Sequence, residues 1–172
     1  MIALAWCASG LISAPGPAAR SKAGIPDIEL SGGASSPEAL AQAFLAALAA
    51  NDSKAAQRLA VSEDEYRKLI MPGSVKPGRP PQIMPDTKSE YFWRKLATTS
   101  LYTLKGMMGD YGGKKFTLKG IEVQKVEPFA WYTAHRDPVL HVETESGDPF
   151  SLRLGSMAEY HGRFKFISFW SD

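Results

Sequence analysis

Apolar residues recur at helical spacing through residues 37–109, and from 115 to 170 the spacing drops to the alternation of strands. A chain that sends its helices first and its strands afterwards argues for an α+β domain, with the helices gathered on one side of an antiparallel sheet. Helices laid on one face of a curved sheet enclose a cleft, and clefts are where small molecules bind. The expectation is therefore N-terminal helices packed in the concave face of a strongly curved antiparallel sheet, in a cone-like barrel.

The first helix has a clear start. Ser36 can cap it, Pro37 supplies a preset first helical φ, and Glu38 complements the helix dipole. Leu40, Phe44 and Leu48 then recur at i, i+4 and i+8, with Ala43 and Ala47 beside them, as an apolar stripe that must be buried. Asn51-Asp52 ends this helix, and a short second helix runs from Asp52 or Ser53 through Leu59. Ser62 and Glu65 have capping-box spacing, so the acidic triplet Glu63-Asp64-Glu65 reads as the start of a third helix. Five prolines between Pro72 and Pro85 make a long surface loop of the kind that covers clefts. The longest helix follows from about Lys88 to Met108, with Trp93, Ala97, Ser100, Leu101, Leu104 and Met108 on one face. Thr99, Ser100, Tyr102 and Thr103 can bond a ligand there, or bond back to helix carbonyls.

Phe116 and Leu118 open the strand half on one parity, and past Gly120 the parity slips to Ile121 and Val123, as a bulge or bend at Gly120 would produce. Further strands are expected at Phe129–Ala134, Val139–Thr144 and Phe150–Leu154, with turns at His135-Arg136-Asp137-Pro138 and Ser146-Gly147-Asp148-Pro149. Leu140 and Val142 take the buried parity, which turns His141 and Glu143 outward. The last strand, Arg163 to Trp170, follows a His161-Gly162 turn and is apolar on both faces through Phe164, Phe166, Ile167, Phe169 and Trp170. Such a strand lies centrally or is covered on both sides.

A formal net charge of +2, from 20 basic and 18 acidic residues, excludes long-range attraction to nucleic acid or to a membrane surface. The single cysteine, Cys7, stands ahead of the folded region, which therefore has no thiol for disulfide, zinc or nucleophile chemistry. Met1 to Ala14 is an uncharged apolar run followed by Pro15-Gly16-Pro17-Ala18-Ala19, and it reads as the hydrophobic and cleavage regions of a secretory signal. Leu4-Ala5-Trp6-Cys7 also approaches a bacterial lipoprotein box, with Trp6 where that box has a small residue. The organisation expected is a signal-like segment over 1–19, a Gly/Ser/Ala/Pro leader over 20–35 and one domain over 36–172, placed outside the cytoplasm. Membrane contact would then run only through a lipid on Cys7.

The capped opening "SPEALAQAFLAALAANDSKAAQRLAVSEDEYRKLIMP", the later long helix and the closing "LRLGSMAEYHGRFKFISFWSD" together resemble the nuclear-transport-factor-2-like superfamily over about residues 36–172. The resemblance implies a cone whose sheet wraps a long helix around an apolar pocket. It covers enzymes of the ketosteroid-isomerase and polyketide-cyclase kind as well as noncatalytic binding and dimerising modules, so it does not decide function.

No Gly-x-Ser-x-Gly elbow, phosphate loop or His-x-x-x-His pair is present. The reading is a noncatalytic module that binds a small apolar molecule or a protein partner, with Trp93, Ser100, Tyr102, Leu104 and Tyr132 as ligand-binding residues, no cofactor and no metal. Homodimerisation stays open. The pocket is expected where the helix face of Trp93, Ala97, Ser100, Leu101 and Leu104 meets the strand face of Phe150, Leu152 and Leu154. The alternative is an acid-base enzyme on a small hydrophobic substrate, drawing on Tyr102, Tyr132 and either His135 or Asp137.

Overall fold

A computed structural model describes residues 25–169. The signal-like run, Cys7 and Trp170 lie outside the described residues.

The helices come first. In α1 (Pro37–Ala49) the Ser36 hydroxyl accepts the Ala39 amide and Pro37 occupies the first turn, while Leu40, Phe44 and Leu48 are fully buried. Asn51 turns the chain at φ 50°, and the Asp52 carboxylate then caps α2 (Ser53–Arg58). Ser62 and Glu65 form the reciprocal capping box expected of them, at the head of α3 (Glu63–Glu65). The helix runs on through a π turn (Tyr66–Ile70) into α4 (Met71–Gly73). After the proline loop, α5 (Asp86–Tyr111) is longer at both ends than the periodicity predicts. It passes through Gly106 and Gly109 and stops at Gly112, where a Cβ would collide with the Asn51 carboxamide and the Met108 carbonyl.

The strands form two antiparallel sheets. One has the order β1-β4-β5, from β1 (Phe116–Glu122), β4 (Val139–Thr144) and β5 (Pro149–Arg153). The other has the order β2-β3-β6-β7, from β2 (Lys125–Pro128), β3 (Thr133–Arg136), β6 (Met157–Tyr160) and β7 (Arg163–Phe166). The architecture is thus α+β. The β1–β4 register shifts between Leu118 and Gly120, where the parity slip places a bulge. Leu140 and Val142 point inward and His141 is exposed, as alternation requires.

Two strands differ from expectation. Phe129–Ala134 is mostly a turn, closed by the Phe129 amide on the Tyr132 carbonyl at 2.8 Å and by stacking of the two rings at 5.0 Å. β2 lies just before it, on charged residues that hide its pairing with β3. The last strand stops at Phe166 and stands at the end of its sheet. Its outer edge is nevertheless occupied: Phe164 exchanges hydrogen bonds with Ala34, and Phe166 bonds Leu59 and Val61. That cover satisfies the backbone groups an edge strand leaves open. The β6–β7 turn has φ 49° at His161 and φ 70° at Gly162, the two left-handed residues of a two-residue hairpin.

The helix packed against the strands is α1, which reaches β1 in one sheet and β7 in the other, whereas α5 packs chiefly on α1, α2 and the π turn. Phe44 meets Phe166 and Phe169 at ring distances of 5.7 and 5.6 Å in the main core. A second cluster gathers Leu30, Leu69, Ile70, Tyr132 and Tyr160. The span read by composition as a leader supplies part of it: Leu30 is buried, and the Pro26 carbonyl accepts the Tyr160 hydroxyl at 2.7 Å.

Among the described residues one ion pair is buried on both sides, Lys165 Nζ to Glu65 Oε2 at 2.8 Å. Lys165→Met and Glu65→Leu should each lower the unfolding free energy by about 3–5 kcal/mol, since each strands a buried charge. The double change should cost less than the sum, because its second step removes a charge already orphaned. Urea unfolding of the four proteins checks this, and strictly additive losses would show the pair to be uncoupled.

Candidate functional site

A cleft of about 970 Å³ opens between α2 with the segment following it, the middle of α5, and the residues after β7. One wall carries Trp93, Leu96, Ala97 and Leu101, at the i, i+3, i+4 and i+8 positions of one α5 face. The other comes from α2 and the residues behind it, and Phe169 and Ile167 close the end. The space exists because the facing positions are short: Ala43, Ala55, Ala60 and Ala97 all border it. Alanines let the helices approach without letting side chains fill the gap.

The polar floor is built by three distant segments. Glu65 Oε1 accepts the Ser31 amide at 2.7 Å and Lys165 Nζ at 3.1 Å. Its Oε2 accepts the Ser62 amide at 2.6 Å and Lys165 Nζ at 2.8 Å. Lys165 gives its third bond to the Ser31 carbonyl at 3.0 Å. An ammonium has three donors and a carboxylate about four acceptor positions, so both groups are saturated. The two charges offset each other, and the hydrogen-bonding positions of both groups are taken up within the fold.

The residues named from sequence do not converge. Trp93 and Ser100 border the cleft, and the Ser100 hydroxyl accepts the Phe169 amide at 3.0 Å. Tyr102 is 81% exposed, on the solvent side of α5. Leu104 is in the main core, and Tyr132 is in the second cluster, with its hydroxyl 2.8 Å from Ser74 Oγ. Burial raises the Tyr132 phenol pKa above its ordinary value, and the Ser74 bond offsets part of that rise. Thr99 and Thr103 bond back to the Lys95 and Thr99 carbonyls. The strand face of Phe150, Leu152 and Leu154 packs in the main core with α1 and Leu104, so the wall opposite α5 comes from α2 and not from the sheet. The proline loop borders a separate hollow beside Arg67 and Trp131.

Two histidines have carboxylate neighbours elsewhere. His135 Nε2 is 2.9 Å from Glu159, at the rim of the main core beside Phe164. His141 lies between Glu122 and Ser151, each at 3.3 Å, on the outer face of β1-β4-β5. That row has the connectivity of a hydrolytic triad, but its contacts are long, it is open to water, and none of the three lines the cleft. Asp137 sits in a turn at φ 48°. Tyr102, Tyr132, His135 and Asp137 therefore share no site. Among the described residues no three His, Cys, Asp or Glu side chains are grouped to hold a metal, and no helix is long and apolar enough to cross a membrane.

Compared with protein-family models, curated proteins and solved structures, the chain matches none.

Sequence reasoning missed Glu65 and Lys165 as partners. A lysine between Phe164 and Phe166, in a strand expected to be covered on both faces, was the available signal: such a lysine demands a buried carboxylate.

Leu101 is 47% exposed at the cleft and Leu104 is 1% exposed in the core. Leu104→Ala should cost about 2–5 kcal/mol. Leu101→Ala should stay within about 0.5 kcal/mol of the parent. Chemical denaturation measures both, and equal losses would move Leu101 into the core.

Proposed function

We propose that this chain is an exported, noncatalytic module that holds a small apolar ligand in the cleft between α2 and α5. The observation that carries the reading is the combination of apolar walls with a floor whose ionised groups are spent on each other. A ligand leaving water gains roughly 25 cal/mol per Å² of apolar surface, and a neutral, saturated floor does not oppose it. Acid-base catalysis needs a donor or acceptor aimed at the substrate, whereas the polar atoms of Glu65 and Lys165 are aimed at each other and at the Ser31 and Ser62 backbone.

The cone-shaped variant of the fold belongs to the same proposal. It is supported by α1 packing on strands of both sheets and by the bulge before Gly120, which bends β1. Export is supported by the apolar run before Ala19. The intact mass of the protein recovered from its native cell should correspond to a chain beginning after about residue 14–20, or at a lipid-modified Cys7. A chain starting at Met1 would remove the export part.

The binding reading is tested by calorimetric titration of the full chain with hexanol, octanol and decanol. Affinity should rise along the series, by up to roughly fourfold per methylene. Leu101→Asp should weaken all three. Absence of binding, or affinity independent of chain length, would overturn the reading.

A further inference from the structure

The cleft has a charged mouth. Lys54 and Arg58 stand one turn apart on α2 and both line the cleft, and their exposure puts them on its solvent side. Neither has an ion pair or hydrogen-bonding partner among the described residues. The nearest acid on their helix, Asp52, is engaged as its cap through the Ala55 amide at 2.9 Å. Deeper in, the Lys165 charge is cancelled by Glu65. The charges bordering the cleft are then Lys54, Arg58, Lys165 and Glu65, which leave a net excess of two positive charges, both at the mouth.

We infer that the ligand is a single-chain amphiphile ending in a carboxylate, its alkyl chain between Leu59 and Leu101 and its headgroup at Lys54 and Arg58. This rests on the cleft-binding reading above and adds the headgroup to it. A guanidinium fork takes both carboxylate oxygens, and an ammonium one turn away adds a second positive charge on the same side. The apolar interior rejects a charge, so a headgroup at the mouth is the one orientation that keeps it solvated and paired. An alcohol of equal length gains the same burial without the pairing, and an amine meets repulsion.

The test uses three probes with one chain, decanoate, 1-decanol and decylamine, titrated into the full protein by calorimetry. Decanoate should bind about five- to thirtyfold more tightly than decanol, which corresponds to one or two exposed charge contacts. Decylamine should bind more weakly than decanol. In the double variant Lys54→Gln/Arg58→Gln the decanoate-to-decanol ratio should fall toward one, and the same collapse should appear in the parent protein at 1 M salt. Urea unfolding of the variant checks that its fold is retained. Equal binding of the three probes, or a ratio that survives the double substitution, overturns the carboxylate assignment while leaving the cleft reading in place. No binding by any of them overturns both.

Discussion

An ammonium withdrawn from water costs several kcal/mol unless each of its protons finds an acceptor and its charge finds an opposite. Lys165 meets both conditions at one place, because Glu65 and the Ser31 carbonyl surround it. Those partners lie 100 and 134 residues away in sequence. The pair therefore forces the segment before α1, the head of α3 and the final hairpin to meet at one point. Glu65 carries further consequences, since the same carboxylate closes the α3 capping box and holds the Ser31 amide. A neutral residue there would release three elements at once.

With that point fixed, the placement of β7 follows. An end strand exposes one row of backbone groups, and here Ala34 and the residues after α2 take up that row. Phe164 and Phe166 fall on the face toward α1, and Lys165 on the opposite face, across from Ala158. The alternation of the strand thus sends its aromatic residues to one cluster and its cation to the junction with the other.

The helices and their caps were legible because their signals are local. Ser36, Asp52 and Ser62 each act on an amide three residues away, and the sequence displays both ends of that contact. The bulge before Gly120 and the outward parity of His141 were legible because alternation allows two answers and the apolar residues choose one. β2 was not, since Lys-Val-Glu-Pro lacks an apolar face and owes its pairing to β3. The cleft was half legible. The α5 face is a periodic stripe, so Trp93 and Ser100 fall on it, but which element stands opposite is decided by contacts between segments far apart in the chain. Tyr102 shows the limit of residue type as a guide: a tyrosine on a long helix is equally at home on the wet side.

The cleft itself is a packing result. α5 is held at its C-terminal end by Leu104, Met107 and Met108 in the main core, and nearer its start by Trp93 against Tyr66 at 5.5 Å. Between those anchors it presents Ala97 and Ser100 toward Ala55 and Ala60 across the gap. Larger side chains would interdigitate there and reach the density of a protein interior. Alanines cannot, so the alanine-rich composition that makes α1 and α2 good helices also prevents the surfaces around them from closing. Apolar area left exposed in this way on a folded chain is surface whose stabilisation is not yet taken, and a ligand of matching shape can take it without displacing any existing contact.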